Sequence, residues 1–194
     1  YDRYQKLIEQ SSKTSLKKYS MECGGNAPFI VCKDADLELA VNIGAALKIG
    51  NSGQICVAPN RFYIHKDVID EFTNGISEKF KNAKIGFGRE NQPDMGPLTN
   101  KQSVEKIHDI VKEAVKQGGE VIYGGEPIDD RPGYYFQPTA IRLNNNKAEI
   151  LQQEIFGPVA NIVPFSTKEE VVELANNTNA GLASYVFSKN EETL

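Results

Sequence analysis

Cys56 sits in N-S-G-Q-I-C-V-A-P-N-R, residues 51–61, among small, polar and turn-forming neighbours where a core cysteine would have Val, Ile or Leu on both sides. A cysteine nucleophile needs an exposed sulfur near backbone N–H groups, and small flexible residues let a substrate approach closely. The same composition also suits a half-buried loop thiol with no role. Glu22 lies in M-E-C-G-G-N-A-P, residues 21–28, at the end of the extended run K-K-Y-S-M and just before Gly24 and Gly25. A carboxylate at a strand tip beside two glycines can project into a cleft, where burial raises its pKa and suits it to general-base work. As an isolated residue it reads more readily as a solvated loop carboxylate, by roughly four to one. Q-E-I-F-G-P-V, residues 153–159, sets Glu154 and Phe156 before a Gly-Pro turn, and alone it is only a turn.

The elements around these residues alternate. Strand-like runs are F-I-V-C (29–32), R-F-Y-I-H (61–65), E-V-I-Y-G-G (120–125), V-A-N-I-V-P-F (159–165) and A-S-Y-V-F-S (183–188). Between them, helical spacing of apolar residues predicts helices over 37–50, 68–83, 103–119 and 168–178. Asp34 or Asp36 is placed to cap the first, and Gly118 and Gly119 stop the third. Strands separated by helices imply βαβ units, so the expected fold class is α/β with a mainly parallel sheet flanked by helices. Residues 86–100 and 124–138, rich in Gly, Pro, Asn and Asp, read as surface excursions. Residues 4–18 read as helical and then extended.

The 194 residues carry a formal net charge of −4, 40% hydrophobic and 25% charged side chains, and three cysteines. This suits one globular domain with reduced thiols in a cytoplasmic compartment. No basic stripe interleaved with aromatics points to nucleic acid, and no apolar run reaches the roughly 20 residues that span a bilayer. His65 and His108 are far apart in sequence and lack ligand-spaced partners, so no metal site is expected. Cys23 and Cys32 read as core or loop thiols.

Taken together, the three motifs resemble those of the NAD(P)-dependent aldehyde dehydrogenase superfamily. Glu22, Cys23, Gly24, Gly25 and Pro28 match its E-L-G-G-x-x-P signature, with Cys23 where Leu is usual. Gly53, Gln54 and Cys56 match the G-Q-x-C core, with Arg61 beyond. Glu154, Phe156, Gly157 and Pro158 match E-E-x-F-G-P, with Gln153 in place of the first Glu. The separations, 34 positions from Glu22 to Cys56 and 98 from Cys56 to Glu154, fit the family. The resemblance implies that Cys56 adds to an aldehyde carbonyl, its own N–H serving as one oxyanion donor, and that loss of hydride to the nicotinamide leaves a thioester. It implies that Glu22 activates the water that hydrolyses this thioester. It gives Glu154 the nicotinamide ribose hydroxyls and Phe156 the ring beside them, with NAD or NADP as cofactor.

Family members carry a dinucleotide-binding domain, yet no G-x-G-x-x-G fingerprint occurs here. G-F-G-R-E-N (86–91) follows a helix instead of opening one. The chain opens on Tyr1 and closes on Leu194 just after a strand-like run. It therefore reads as residues 1–20, a connector from a cofactor-binding domain, and 21–194, a truncated nucleophile domain unable to oxidise aldehydes alone. The parent is expected to be a homodimer or homotetramer. Likeness is greatest to the succinate-semialdehyde dehydrogenase branch, which often has an Arg six residues before the nucleophile to match the substrate carboxylate. Gly50 stands there instead. The competing readings are a non-catalytic assembly module and a cofactor-free thiol esterase.

Overall fold

The structure, a computed structural model, describes residues 2–89 and 92–192; the expectations placed on residues 1, 90–91 and 193–194 lie outside them. Helix α1 (Asp2–Ser12) is followed by an irregular segment that reaches β1 (Pro28–Val31). Helix α2 (Leu37–Ile49) starts at Asp36, whose carboxylate accepts the Leu39 N–H at 3.0 Å and settles which aspartate caps it. Strand β2 (Arg61–His65) leads to α3 (Ile69–Asn82). Helix α4 (Lys101–Lys116) begins two residues earlier than its periodicity predicts, because Asn100 caps the Ser103 N–H at 2.8 Å. It ends at a left-handed Gly118, φ +90°. Then come β3 (Glu120–Tyr123), β4 (Pro127–Ile128), β5 (Tyr135–Phe136), β6 (Thr139–Arg142), β7 (Val159–Phe165), α5 (Lys168–Asn176) and β8 (Tyr185–Phe187).

Six strands form one sheet in the order β3-β6-β7-β2-β1-β8, parallel throughout except for the β3–β6 pair, while β4 and β5 pair by themselves. The sheet is buried on both faces, as parallel sheets are. Phe29, Val31, Phe62, Ile64 and Ile162 pack with Ala40, Val41 and Ala45 of α2 and Phe72, Ile76 and Phe80 of α3. The alternate residues Ile30, Tyr63 and Val163 face Ile107 and Val111 of α4 and Val171 of α5. The expected α/β class with a mainly parallel sheet is what forms.

Strand β6 was not visible in the sequence. It is four residues long, follows Pro138, and takes extended form by pairing with both β3 and β7. The excursion at 124–138 likewise contains the short β4–β5 pair. No described helix is long and apolar enough to cross a membrane.

Candidate active site

Each of the three motifs lies just before a strand: Glu22–Gly25 before β1, Gly53–Cys56 before β2, and Glu154–Gly157 before β7. Strands β7, β2 and β1 are neighbours and run parallel, so their amino ends share one edge of the sheet. Register makes this concrete, because Pro28 pairs with Arg61 and Arg61 with Asn161. Segments more than a hundred positions apart therefore start from the same line.

The glycines of the motifs are where the segments touch. A Cβ on Gly25 would stand 2.4 Å from the Cys56 carbonyl oxygen, and one on Gly24 would stand 2.1 Å from Glu154 Oε2. The Gly25 N–H donates to Glu154 Oε1 at 3.1 Å. Gly53 has φ +68°, and a Cβ there would lie 2.2 Å from the Gly157 carbonyl oxygen. The close approach needs glycine at 25 and 53, where the neighbour is backbone; at Gly24 the neighbour is the movable end of the Glu154 side chain.

The turn before Cys56 is held tightly. Asn51 and Ser52 are left-handed, φ 48° and 57°, a conformation that costs non-glycine residues roughly 1–3 kcal/mol each. Side-chain bonds hold it: buried Ser52 donates to the Gly96 carbonyl at 2.7 Å, Asn51 to the Gln54 carbonyl at 2.9 Å, and Gln54 Oε1 accepts the Thr99 N–H at 2.9 Å. On the far side, the Tyr185 hydroxyl donates to the Val57 carbonyl at 2.8 Å. Burial, and then the nearby Cys56, push that phenol above its ordinary range. Cys56 itself is half-buried and free, as are Cys23 and Cys32.

Glu22 is exposed, and its carbonyl accepts the Tyr4 hydroxyl at 2.9 Å. The described residues do not enclose it in the burying cleft that the strand-tip reading anticipates. The segment carrying it runs along the surface until Gly25, where burial begins. Glu154 is half-buried and borders a polar cleft of about 450 Å³ shared with Gly24, Gly25, Asn26, Asn177 and Thr178. Phe156, 45% exposed, is held at φ 57°. No side-chain atoms lie within 4 Å of a Cβ built on Gly50, so that position offers a carboxylate nothing.

Several residues that organise the site escaped sequence reading. Buried Asn60 donates to Asn26 Oδ1 at 2.8 Å and to the Gln153 carbonyl at 2.8 Å, while Asn26 donates to the Leu151 carbonyl at 3.0 Å. Asn161 of β7 donates to the Asn60 carbonyl at 2.9 Å. This buried amide chain joins all three motif segments. Arg61, fully buried, donates twice to the Asn26 carbonyl and once each to the Leu174 and Ala175 carbonyls at 3.0 Å. It is stabilised by the carbonyl end of α5 in place of a carboxylate partner. Lys48 is 2% exposed; burial pushes its amine down to about 7, with the Glu154 carboxylate opposing the shift. The available signal was that Lys48 continues the apolar stripe Leu37, Ala40, Val41, Gly44, Ala45 at helical spacing.

A model of the Aldehyde dehydrogenase family matches residues 2–194. The chain is 39% identical over 189 residues to succinate-semialdehyde dehydrogenase [NADP(+)] 2 of Schizosaccharomyces pombe, covering 97% of this chain and 38% of that protein. It is 41% identical over 184 residues to the succinate-semialdehyde dehydrogenase of Paenarthrobacter nicotinovorans, covering 95% and 40%. Among solved structures, succinate-semialdehyde dehydrogenase from Burkholderia pseudomallei superposes with a TM-score of 0.92 at 36% identity, covering 98% of this chain and 39% of that one. The chain thus spans about two fifths of the length of these relatives.

Proposed function

Because this chain belongs to the aldehyde dehydrogenase family, we propose that residues 21–194 form the nucleophile-bearing domain of an enzyme that oxidises an aldehyde to its carboxylic acid with NAD or NADP. The observation that carries this reading is the meeting of the three motifs at one sheet edge through glycine contacts that leave no room for a side chain.

Cys56 is the nucleophile. Its sulfur adds to the aldehyde carbon, the carbonyl π electrons move to oxygen, and the oxyanion of the resulting thiohemiacetal takes the Cys56 N–H, which donates to no described protein group. The polar cleft bordered by Glu154 suits a ribose diol, whose hydroxyls would donate to its carboxylate, and the exposed Phe156 ring, outside the lining of that cleft, would pack beside the nicotinamide. When bound there, the oxidised nicotinamide supplies the acceptor for the hydride that the thiohemiacetal carbon loses as it becomes a thioester. Glu22 then takes a proton from water, the hydroxide adds to the thioester carbonyl, and the C–S bond breaks to free the acid and restore the thiolate. Exposure of Glu22 keeps it in reach of that water.

Succinate semialdehyde is the leading substrate, supported by the identity of the relatives and not by a carboxylate partner at Gly50. Residues 1–20 connect to the cofactor-binding part, the three free thiols suit the cytoplasm, and the working enzyme is a homodimer or homotetramer. The test is turnover of an aldehyde panel by the full-length protein with each cofactor, followed as reduced nicotinamide. Succinate semialdehyde should be oxidised, and Cys56→Ser should abolish the reaction. Undiminished oxidation by Cys56→Ser would overturn the assignment, and ester cleavage without any cofactor reduction would favour a thiol esterase.

A further inference from the structure

The Ala58 N–H donates to the Ile55 carbonyl at 2.9 Å, which closes a turn with Cys56 and Val57 at its two central positions. The Cys56 carbonyl lies against Gly25, so the peptide after the nucleophile has backbone packed on it. Among the described residues, no backbone N–H donates to the Val57 carbonyl. Its partner is the Tyr185 hydroxyl, which donates at 2.8 Å from 128 positions further along the chain. Asn51, Ser52 and Gln54 tether the turn upstream of Cys56. Among the described side chains, Tyr185 alone donates to residues 55–58.

The tyrosine has a fixed seat. It stands on the edge strand β8, in register with Phe29 of β1, and its ring centre lies 5.7 Å from that of Phe29. Phe29 is fully buried and packs in turn on Phe62 at 4.8 Å and Phe187 at 4.7 Å. Three residues before Tyr185, the Leu182 side chain comes within 3.7 Å of a Cβ built on Gly25. The core therefore holds the ring, and the ring carries a hydroxyl to the peptide just past the nucleophile. A phenylalanine would keep the same ring packing, so the hydrogen bond to the turn is what the hydroxyl adds.

We propose that Tyr185 is a positioning residue for Cys56, a donor at the sheet edge that fixes the turn so that sulfur and N–H meet one carbonyl group. This rests on reading Cys56 as the nucleophile. Addition needs the sulfur about 3–3.5 Å from the aldehyde carbon while the carbonyl oxygen sits on the Cys56 N–H. Both groups belong to one residue, so a loosened turn loses the productive geometry without losing the thiol. Tyr185 does not line the cleft bordered by Glu154, so its hydroxyl acts on the addition step and not on cofactor capture.

The rate of the first turnover in the full-length enzyme, followed as reduced cofactor, tests this. Tyr185→Phe should lower that rate roughly three- to tenfold, short of the roughly hundredfold that a misplacement of about 1 Å brings. The cofactor concentration giving half the rate should stay within about twofold. Replacing Tyr185 by 4-aminophenylalanine, which restores an N–H donor on the same ring, should recover most of the loss. An unchanged rate in Tyr185→Phe overturns the proposal, as does a donor-bearing variant just as slow as Tyr185→Phe. Weakened cofactor capture with the saturated rate unchanged also overturns it. If Cys56→Ser still reduces cofactor at the parent rate, the nucleophile reading fails and the proposal with it. If Cys56→Ser is inactive and Tyr185→Phe is not slowed, the proposal alone fails.

Discussion

Of the three free thiols, Cys32 is the one whose setting argues most clearly against reactivity. Burial, and then the Asp34 charge, push its thiol upward and deplete the thiolate at neutral pH. Cys56 instead follows a strained, side-chain-tethered turn at the meeting of three segments. Brief iodoacetamide treatment followed by peptide mass spectrometry should therefore find Cys56 alkylated before Cys32, and the reverse order would remove the nucleophile assignment. On the proposed mechanism, Glu22 is needed only after the thioester has formed. Glu22→Gln in the full-length enzyme should keep a burst of reduced cofactor and then turn over slowly in rapid-quench experiments. Loss of the burst with the fold intact would move Glu22 to an earlier step.

At the scale of elements, the three motif segments are loops, yet they are fixed by buried amides between the strands that follow them. Asn60→Ala leaves Asn26 Oδ1 and the Gln153 carbonyl without their donor inside the protein. An unpaired buried polar group costs about 1–3 kcal/mol, so the loss should be roughly 2–4 kcal/mol in urea unfolding. A change under about 0.5 kcal/mol would show that the amide chain is incidental to the fold. Helix α2 has a double task here. Its apolar stripe packs on β1 and β2, and its last turn delivers both Lys48 and the turn that presents Cys56.

For the whole molecule, stability should depend on pH through Lys48. In the folded protein its amine sits at about 7, whereas an unfolded chain holds it near its ordinary value of about 10.4. Between those values the unfolded state binds more protons, so stability rises with pH across that window, by up to roughly 1.4 kcal/mol per pH unit from this group. Below about 7 both states are protonated and the burial penalty is fully present. Lys48→Met should flatten the slope and be more stable than the parent at pH 6, as read by denaturant midpoints; parallel curves would contradict the buried amine. The 194-residue chain by itself should show no saturable NAD or NADP binding in calorimetry, because its sequence offers no strand–Gly-rich turn–helix for a pyrophosphate. A micromolar dissociation constant would contradict that. The sequence alone determined the alternation of strands and helices, because period-2 and period-3.6 apolar patterns are local. It also marked Cys56, Glu22, Glu154 and Phe156 through the glycines and prolines around them. Tertiary structure decided the rest. Strand β6 exists through its neighbours, Glu22 is exposed because its segment meets the core only from Gly25 onward, and Asn26, Asn60, Arg61 and Lys48 become site residues because parallel strands begin at one edge. Apart from Lys48, which continues the apolar stripe of α2, these polar side chains show no periodicity that foretells burial, and the partners that make the burial of Asn60 and Arg61 tolerable lie 34, 93 and 113 positions away along the chain.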